Sequence, residues 1–102
     1  MASAKQKAQQ IIDDNAVAVF SKSYCPHCSA SKQLLSSLDA KFYTIELDKV
    51  DDGADIQAAL AEISGQRTVP NIYISKKHIG GNSDLQAIKG KLPELLKGAG
   101  AL

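Results

Sequence analysis

The chain reads as an α/β fold, a single four-stranded mixed sheet flanked by about five helices. Three observations lead there. Short apolar runs, partly β-branched, mark strands at Val17-Ala18-Val19-Phe20 and Asn71-Ile72-Tyr73-Ile74. Segments with apolar residues at helical spacing separate them. A length of 102 residues, 44% hydrophobic and 23% charged, suits one globular domain with a modest core, taken as residues 1–102.

In order along the chain, Ala4, Ala8, Ile11 and Ile12 repeat at helical spacing and predict a helix over residues ~3–14, ended by Asp13-Asp14-Asn15. Residues 16–20 predict a buried strand. Ala30, Leu34, Leu35 and Leu38 form one apolar stripe, so the helix after Pro26 runs to about Asp39. Phe42–Leu47 reads as a second strand, with Phe42, Thr44 and Glu46 alternating against Tyr43, Ile45 and Leu47. Asp48–Gly53 is a polar loop. Ile56, Ala59, Leu60 and Ile63 predict a third helix, stopped by Gly65. Asn71–Ser75 is a third strand, Lys76-Lys77 a turn and His78-Ile79 a short fourth strand. Gly80-Gly81 breaks the chain, and Asn82 or Ser83 caps a helix carrying Leu85 and Ile88. Pro93 opens a last short helix with Leu95 and Leu96, and the Gly98–Leu102 tail frays. The helix between the first two strands implies a parallel crossover, and the short link between the last two implies a hairpin.

A net charge of +1 points to neither nucleic acid nor membrane as a partner. No apolar run has the length of a membrane span, and Met1–Gln10 lacks the apolar stretch of a signal peptide. The expectation is a cytoplasmic protein; an organellar form left by removal of a transit peptide stays open.

Cys25-Pro26-His27-Cys28 holds the two cysteines of the chain at a strand-to-helix junction. This C-x-x-C reads as a thioredoxin-like redox site. Pro26 has a φ suited to the first helical turn. Cys25 then falls near the N-cap, where free N–H groups and the helix dipole favour the thiolate that attacks disulfides. Cys28 lies one turn on, within reach for a disulfide. A purely structural disulfide in so small a ring constrains little chain entropy. A closed zinc site needs four ligands and would have to recruit both His27 and the distant His78, so no metal is expected. Two inert buried thiols fit poorly beside Pro26 and the polar Ser21-Lys22-Ser23-Tyr24.

Lys22-Ser23-Tyr24-Cys25-Pro26-His27-Cys28, Thr68-Val69-Pro70 and Gly80-Gly81-Asn82-Ser83-Asp84, in this order and spacing, resemble a dithiol glutaredoxin over nearly the whole chain. The resemblance implies glutathione as co-substrate, and the residues are consistent with it. Glutathione carries two carboxylates and an ammonium. Lys22 and Arg67 supply cations near Cys25, Asp84 an anion, and the helix start after Gly80-Gly81 a set of N–H groups. The resemblance places Gln57 with Lys22 and Arg67 at the glycyl carboxylate, and Gly81, Ser83 and Asp84 at the γ-glutamyl end. Tyr24 packs along the ligand, and Thr68-Val69-Pro70, with a cis bond, leaves the Val69 backbone free to pair with it as an added strand. Taken singly, each of these residues reads as ordinary surface, turn or helix-start chemistry; only their joint pattern carries weight. Lys32 and Lys76-Lys77 have no such support and read as surface.

One departure is His27, where the more familiar motif has tyrosine. C-P-H-C also occurs in an exported thiol oxidant of the thioredoxin superfamily, a longer protein with a helical insertion. At the second helical position an imidazole can donate a hydrogen bond to the Cys25 thiolate and so make the disulfide more oxidising. The resemblance therefore implies a monomeric glutathione–disulfide oxidoreductase, with Cys25 as nucleophile and Cys28 as resolving thiol; Pro26 and His27 are read as tuning residues from their place in the first helical turn, the alternative being that His27 points into solvent and does little. Its partners are glutathionylated or disulfide-containing proteins and, indirectly, glutathione reductase. A thioredoxin is disfavoured by the absence of tryptophan. A glutathione-bridged iron–sulfur dimer is disfavoured by Pro26, and a non-catalytic binding module by the complete cysteine pair.

Overall fold

The computed structural model describes residues 3–102. Its helices are α1 (Ala4–Asp14), α2 (Pro26–Ser37), α3 (Gly53–Ser64), α4 (Asn82–Ala87) and α5 (Leu92–Ala99); its strands are β1 (Val17–Ser21), β2 (Tyr43–Glu46), β3 (Asn71–Ile74) and β4 (Lys77–Gly80). The strands form one sheet in the order β2-β1-β3-β4. β1 and β2 run parallel, whereas β1–β3 and β3–β4 are antiparallel. The anticipated α/β fold with a mixed four-stranded sheet and five helices is therefore the one formed.

The pleat of β1 sorts the core. Ala18 and Phe20 face α1 and α3, joining Ala8, Ile12, Ile56 and Leu60. Val17 and Val19 face the other side, joining Leu34, Leu35, Leu85 and Leu96 from α2, α4 and α5. Both faces of the central strand are thus buried, which is why β1 reads as an unbroken apolar run. Phe20 is fully buried and meets the Tyr73 ring edge-on at 5.8 Å between centroids.

Local chemistry fixes the ends. Ser3 caps α1 reciprocally with Gln6: Gln6 N–H donates to Ser3 Oγ at 3.1 Å and Ser3 N–H to Gln6 Oε1 at 3.0 Å. α3 starts at Gly53, a position that admits no side chain because a Cβ there would run into the Leu47 backbone, and it stops at the left-handed Gly65 as anticipated.

Four details differ from the expectations. The β3–β4 turn is Ser75-Lys76, both with positive φ (53° and 68°), so Lys77 belongs to β4 rather than to the turn. α4 begins after Gly81, not at an Asn82 or Ser83 cap; with no side chain at Gly81, the terminus is held instead by Asp84, whose Oδ2 accepts from Gly81 N–H at 2.9 Å. Lys89–Lys91 inserts a 3-10 turn before α5, leaving Ile88 at the α4 C-cap. The tail does not fray. Gly98 lies inside α5 and Gly100 is its left-handed cap. Ala101 is fully buried, its N–H donating to Leu96 O at 2.8 Å and its carbonyl accepting from Lys41 N–H at 2.7 Å. The glycines that look like a disordered end are a helix stop.

At one end of the sheet, the carboxyl ends of β1 and β2 meet the start of β3. Ser21 is level with Glu46, and Phe20 with Asn71. The C-x-x-C stands at this end.

Candidate active site

Cys25 is the N-cap of α2, with Pro26 at its first position. The Cys28 N–H donates to Cys25 Sγ at 3.4 Å, and the Cys25 thiol donates to Val69 O at 3.9 Å. Cys25 is part exposed and Cys28 is fully buried. Burial alone pushes the Cys25 thiol up. Hydrogen bonds from the Cys28 thiol and from the backbone N–H groups of Cys28 and His27, with the Lys32 charge behind them, outweigh it and hold Cys25 below its ordinary value. Burial pushes Cys28 the other way, above its ordinary value; the Lys22 backbone and the Ser21 hydroxyl oppose this, and the neighbouring Cys25 adds to it. Helix position and burial therefore set the two thiols apart, favouring ionisation at Cys25 and disfavouring it at Cys28.

Three polar networks surround the pair, and none was anticipated. Lys32 is half-buried. Its Nζ lies 2.8 Å from Glu46 Oε1, and Glu46 Oε2 accepts from the buried Ser21 hydroxyl at 3.0 Å. Lys32 is thus not a free surface charge. It follows Cys28 by four residues, a spacing that places it on the same helical face and was the available signal. Asp48 holds the approach to Cys25, accepting from Ser23 N–H at 2.9 Å and from the Ser23 hydroxyl. These bonds, hydroxyl first, keep its carboxyl below the usual range. Gln66 bonds to Thr68 O, Pro70 O and His78 across the loop before β3.

Replacing Lys32 by methionine keeps the aliphatic stem and removes the charge. The Cys25 thiolate loses a stabilising charge, so the thiol pKa rises and the pH–rate profile for alkylation of Cys25 moves to higher pH. An unmoved profile contradicts the role given to Lys32.

Most of the residues expected around Cys25, though not Lys22 or Tyr24, line two recesses. His27, Gln66, Thr68, Val69, Pro70, Gly81, Asn82, Ser83 and Asp84 line an open cleft of about 460 Å³. Gln57 and Arg67 share a smaller recess of about 240 Å³ with Ala54, Ala58 and Ala61. There Gln57 Nε2 donates to Arg67 O at 2.8 Å. The Val69–Pro70 bond is cis. Tyr24 is 72% exposed beside Cys25, leaving an aromatic face open to a ligand. Lys22 O accepts from Cys25 N–H at 3.1 Å, and Lys22 has no ion-pair partner among the described residues. Gly80 has φ +121°, and a Cβ there would collide with the Asp84 carboxylate. Among the described residues, no three His, Cys, Asp or Glu side chains are grouped to hold a metal ion, and no helix is long and apolar enough to cross a membrane.

This arrangement has close parallels. The family model described as Glutaredoxin matches residues 17–79. A glutaredoxin of Solanum lycopersicum is 56% identical over 98 residues, spanning 94% of this chain and 91% of that protein. Glutaredoxin-C2 of Arabidopsis thaliana is 52% identical over 102 residues, spanning 97% and 91%. The crystal structure of a buckwheat glutaredoxin–glutathione complex superposes with a TM-score of 0.94 at 50% identity, covering 97% of this chain and 92% of that one. With the family model matched across both cysteines and the Val69–Pro70 loop, the chain belongs to the glutaredoxin family and is a thiol–disulfide oxidoreductase.

Proposed function

We propose that the protein reduces protein–glutathione mixed disulfides and protein disulfides at the expense of glutathione, and so serves cell redox homeostasis. The observation that carries this is the inequality of the two thiols across from an open backbone segment at Val69. The Cys25 thiolate attacks the glutathione sulfur of a glutathionylated protein. A Cys25–glutathione disulfide forms, the original S–S bond breaks, and the protein sulfur leaves as a thiolate that takes up a proton. A second glutathione, as thiolate, attacks the glutathione sulfur of that adduct, giving oxidised glutathione and restoring the Cys25 thiolate. With protein disulfides, the Cys25 thiolate attacks one sulfur, forming a Cys25–protein disulfide and freeing the other protein sulfur as a thiolate; Cys28 then loses its proton and attacks the Cys25 sulfur, so that the Cys25–protein bond breaks, the Cys25–Cys28 disulfide forms and the protein leaves with both thiols reduced, after which two glutathiones reduce the enzyme disulfide and leave as oxidised glutathione. Glutathione reductase and NADPH regenerate glutathione.

In this reading the ligand lies extended across the two recesses. Val69 pairs with its backbone, as in strand addition. Lys22, Gln57 and Arg67 take the glycyl carboxylate, with Tyr24 alongside. Gly81 and Ser83 at the α4 start take the γ-glutamyl carboxylate, and Asp84 the ammonium through the oxygen not used by Gly81. Thr68 and Pro70 frame the cleft, and Pro26 and His27 tune the cysteine pair. The similarity to the buckwheat glutaredoxin–glutathione complex supports this placement. The protein acts as a monomer in the cytoplasm, although a rice relative, Glutaredoxin-C4, is described as chloroplastic.

A coupled assay tests the reading. Glutathione, glutathione reductase and NADPH sustain turnover, and thioredoxin reductase with NADPH does not; the reverse outcome refutes it. Asp84→Asn and Arg67→Ala each raise KM for a glutathionylated peptide about tenfold, as loss of one charge-assisted hydrogen bond implies. Unchanged KM in both variants contradicts the placement.

A further inference from the structure

The resolving step needs a place for a proton. Cys28 is fully buried, and that burial disfavours its thiolate. The side chains beside it come from three elements and share one face of the sheet. Ser21 falls on the face of β1 used by Val17 and Val19, the side covered by α2. Glu46 follows Ile45, which faces α1 and α3, so Glu46 is turned to the α2 side as well. Lys32 lies one helical turn beyond Cys28.

The bonds join these groups into a chain. The Ser21 hydroxyl, fully buried, lies within hydrogen-bond reach of the Cys28 thiol. It donates to Glu46 Oε2 at 3.0 Å, with Lys22 O a longer alternative at 3.5 Å. Lys32 Nζ holds the other carboxylate oxygen, Oε1, at 2.8 Å, which leaves Oε2 to Ser21. A hydroxyl has one proton and two lone pairs. While Ser21 donates to Glu46, it can accept the Cys28 S–H; with the proton on Glu46, the chain reverses and Ser21 donates to a Cys28 thiolate. Of the titratable groups on the elements packed here, Cys25 and Lys32 on α2 and Glu46 on β2 belong to this cluster, whereas His27 on α2 and Asp84 on α4 line the open cleft.

We propose that Glu46 is the proton acceptor for Cys28, reached through the Ser21 hydroxyl. As the Cys28 sulfur attacks Cys25, its S–H proton passes to Ser21 Oγ while the Ser21 proton passes to Glu46 Oε2. The Cys25–Cys28 bond forms, the bond from Cys25 to the protein or glutathione sulfur breaks, and that sulfur leaves with the electron pair. Glu46 then gives the proton to water, which its part-exposed side chain can reach. Reduction of the enzyme disulfide runs the chain backwards and protonates Cys28. No free Cys28 thiolate has to accumulate. The inference rests on the reading that Cys28 resolves disulfides formed at Cys25.

The test follows this step alone. Reduced enzyme is mixed rapidly with excess oxidised glutathione, quenched with acid and measured by mass spectrometry, which separates the Cys25–glutathione adduct from the Cys25–Cys28 disulfide. In wild type the adduct converts at a rate that changes little with pH around neutrality, because the base is internal. Glu46→Gln and Ser21→Ala each convert about 100-fold more slowly, the low end of what a positioned base contributes. Their rates rise about tenfold per pH unit, following the thiolate fraction of Cys28. The double variant is no slower than either single one, since both break one path. Either variant decides the matter if the other fails to fold. A folded variant with the wild-type rate and pH slope overturns the relay, while the resolving role of Cys28 stands. A slower rate with the wild-type slope makes the cluster merely structural and also overturns it. If the wild-type adduct does not convert, Cys28 does not resolve, and the inference falls with that reading.

Discussion

Cys25→Ser abolishes all thiol transfer, whereas Cys28→Ser retains reduction of a glutathionylated peptide and loses most activity on protein disulfides. The asymmetry follows from position. Cys25 caps α2, receives the Cys28 N–H and is open to solvent. Cys28 is fully buried and its thiol is shifted upward by that burial. Exchange needs an ionised, accessible sulfur, and of the two thiols only Cys25 is both shifted toward ionisation and part exposed. A second glutathione can release the Cys25 adduct, so the monothiol route survives without Cys28. The measurement is glutathione-dependent reduction of a glutathionylated peptide and of a dithiol substrate by each variant. An active Cys25→Ser enzyme, or a folded Cys28→Ser enzyme inactive on the glutathionylated peptide, contradicts the assignment.

Gly80→Ala costs about 1–3 kcal/mol of stability and raises KM for glutathionylated substrate at least tenfold, an order-of-magnitude expectation from backbone strain and a lost binding group. Gly80 has φ +121°, a conformation closed to side-chain-bearing residues, and the new Cβ meets the Asp84 carboxylate. Asp84 has little room to withdraw, because its Oδ2 holds the Gly81 N–H at the start of α4. Relaxation must therefore disturb the helix start and the acidic group at one end of the cleft together. Denaturant unfolding and peptide kinetics measure the two effects. A variant with wild-type stability and KM shows that the turn and Asp84 adjust freely.

Much of this site was legible in the sequence because its parts are local. Cys25-Pro26-His27-Cys28 announces a strand-to-helix redox junction, and Pro26 and the apolar β1 run fix its geometry. The alternation of Val17 and Val19 against Ala18 and Phe20 was hidden, since both faces of β1 are apolar and each is covered by helices. Lys32, Glu46 and Ser21 looked unrelated because they lie on three elements. Their ion pair and hydrogen bond exist only once β1 and β2 are in register, with Ser21 beside Glu46. The Gln57 and Gln66 bonds to the loop escape for a related reason, since an amide in a polar stretch has no pattern that names its acceptor. The C-terminal glycines misled for another: Gly100 reads as flexibility, but the buried Ala101 after it turns the same residue into a cap.

The inequality of the two thiols is tested most directly by titrating them in the fully reduced protein. Thiolate absorbance is followed against pH, with alkylation and mass mapping to assign each sulfur. The predicted result is one thiol ionising below the free-cysteine value of about 8.5, mapped to Cys25, and one ionising above it, mapped to Cys28. Two coincident titrations, or a low-pH thiolate mapped to Cys28, would contradict the mechanism.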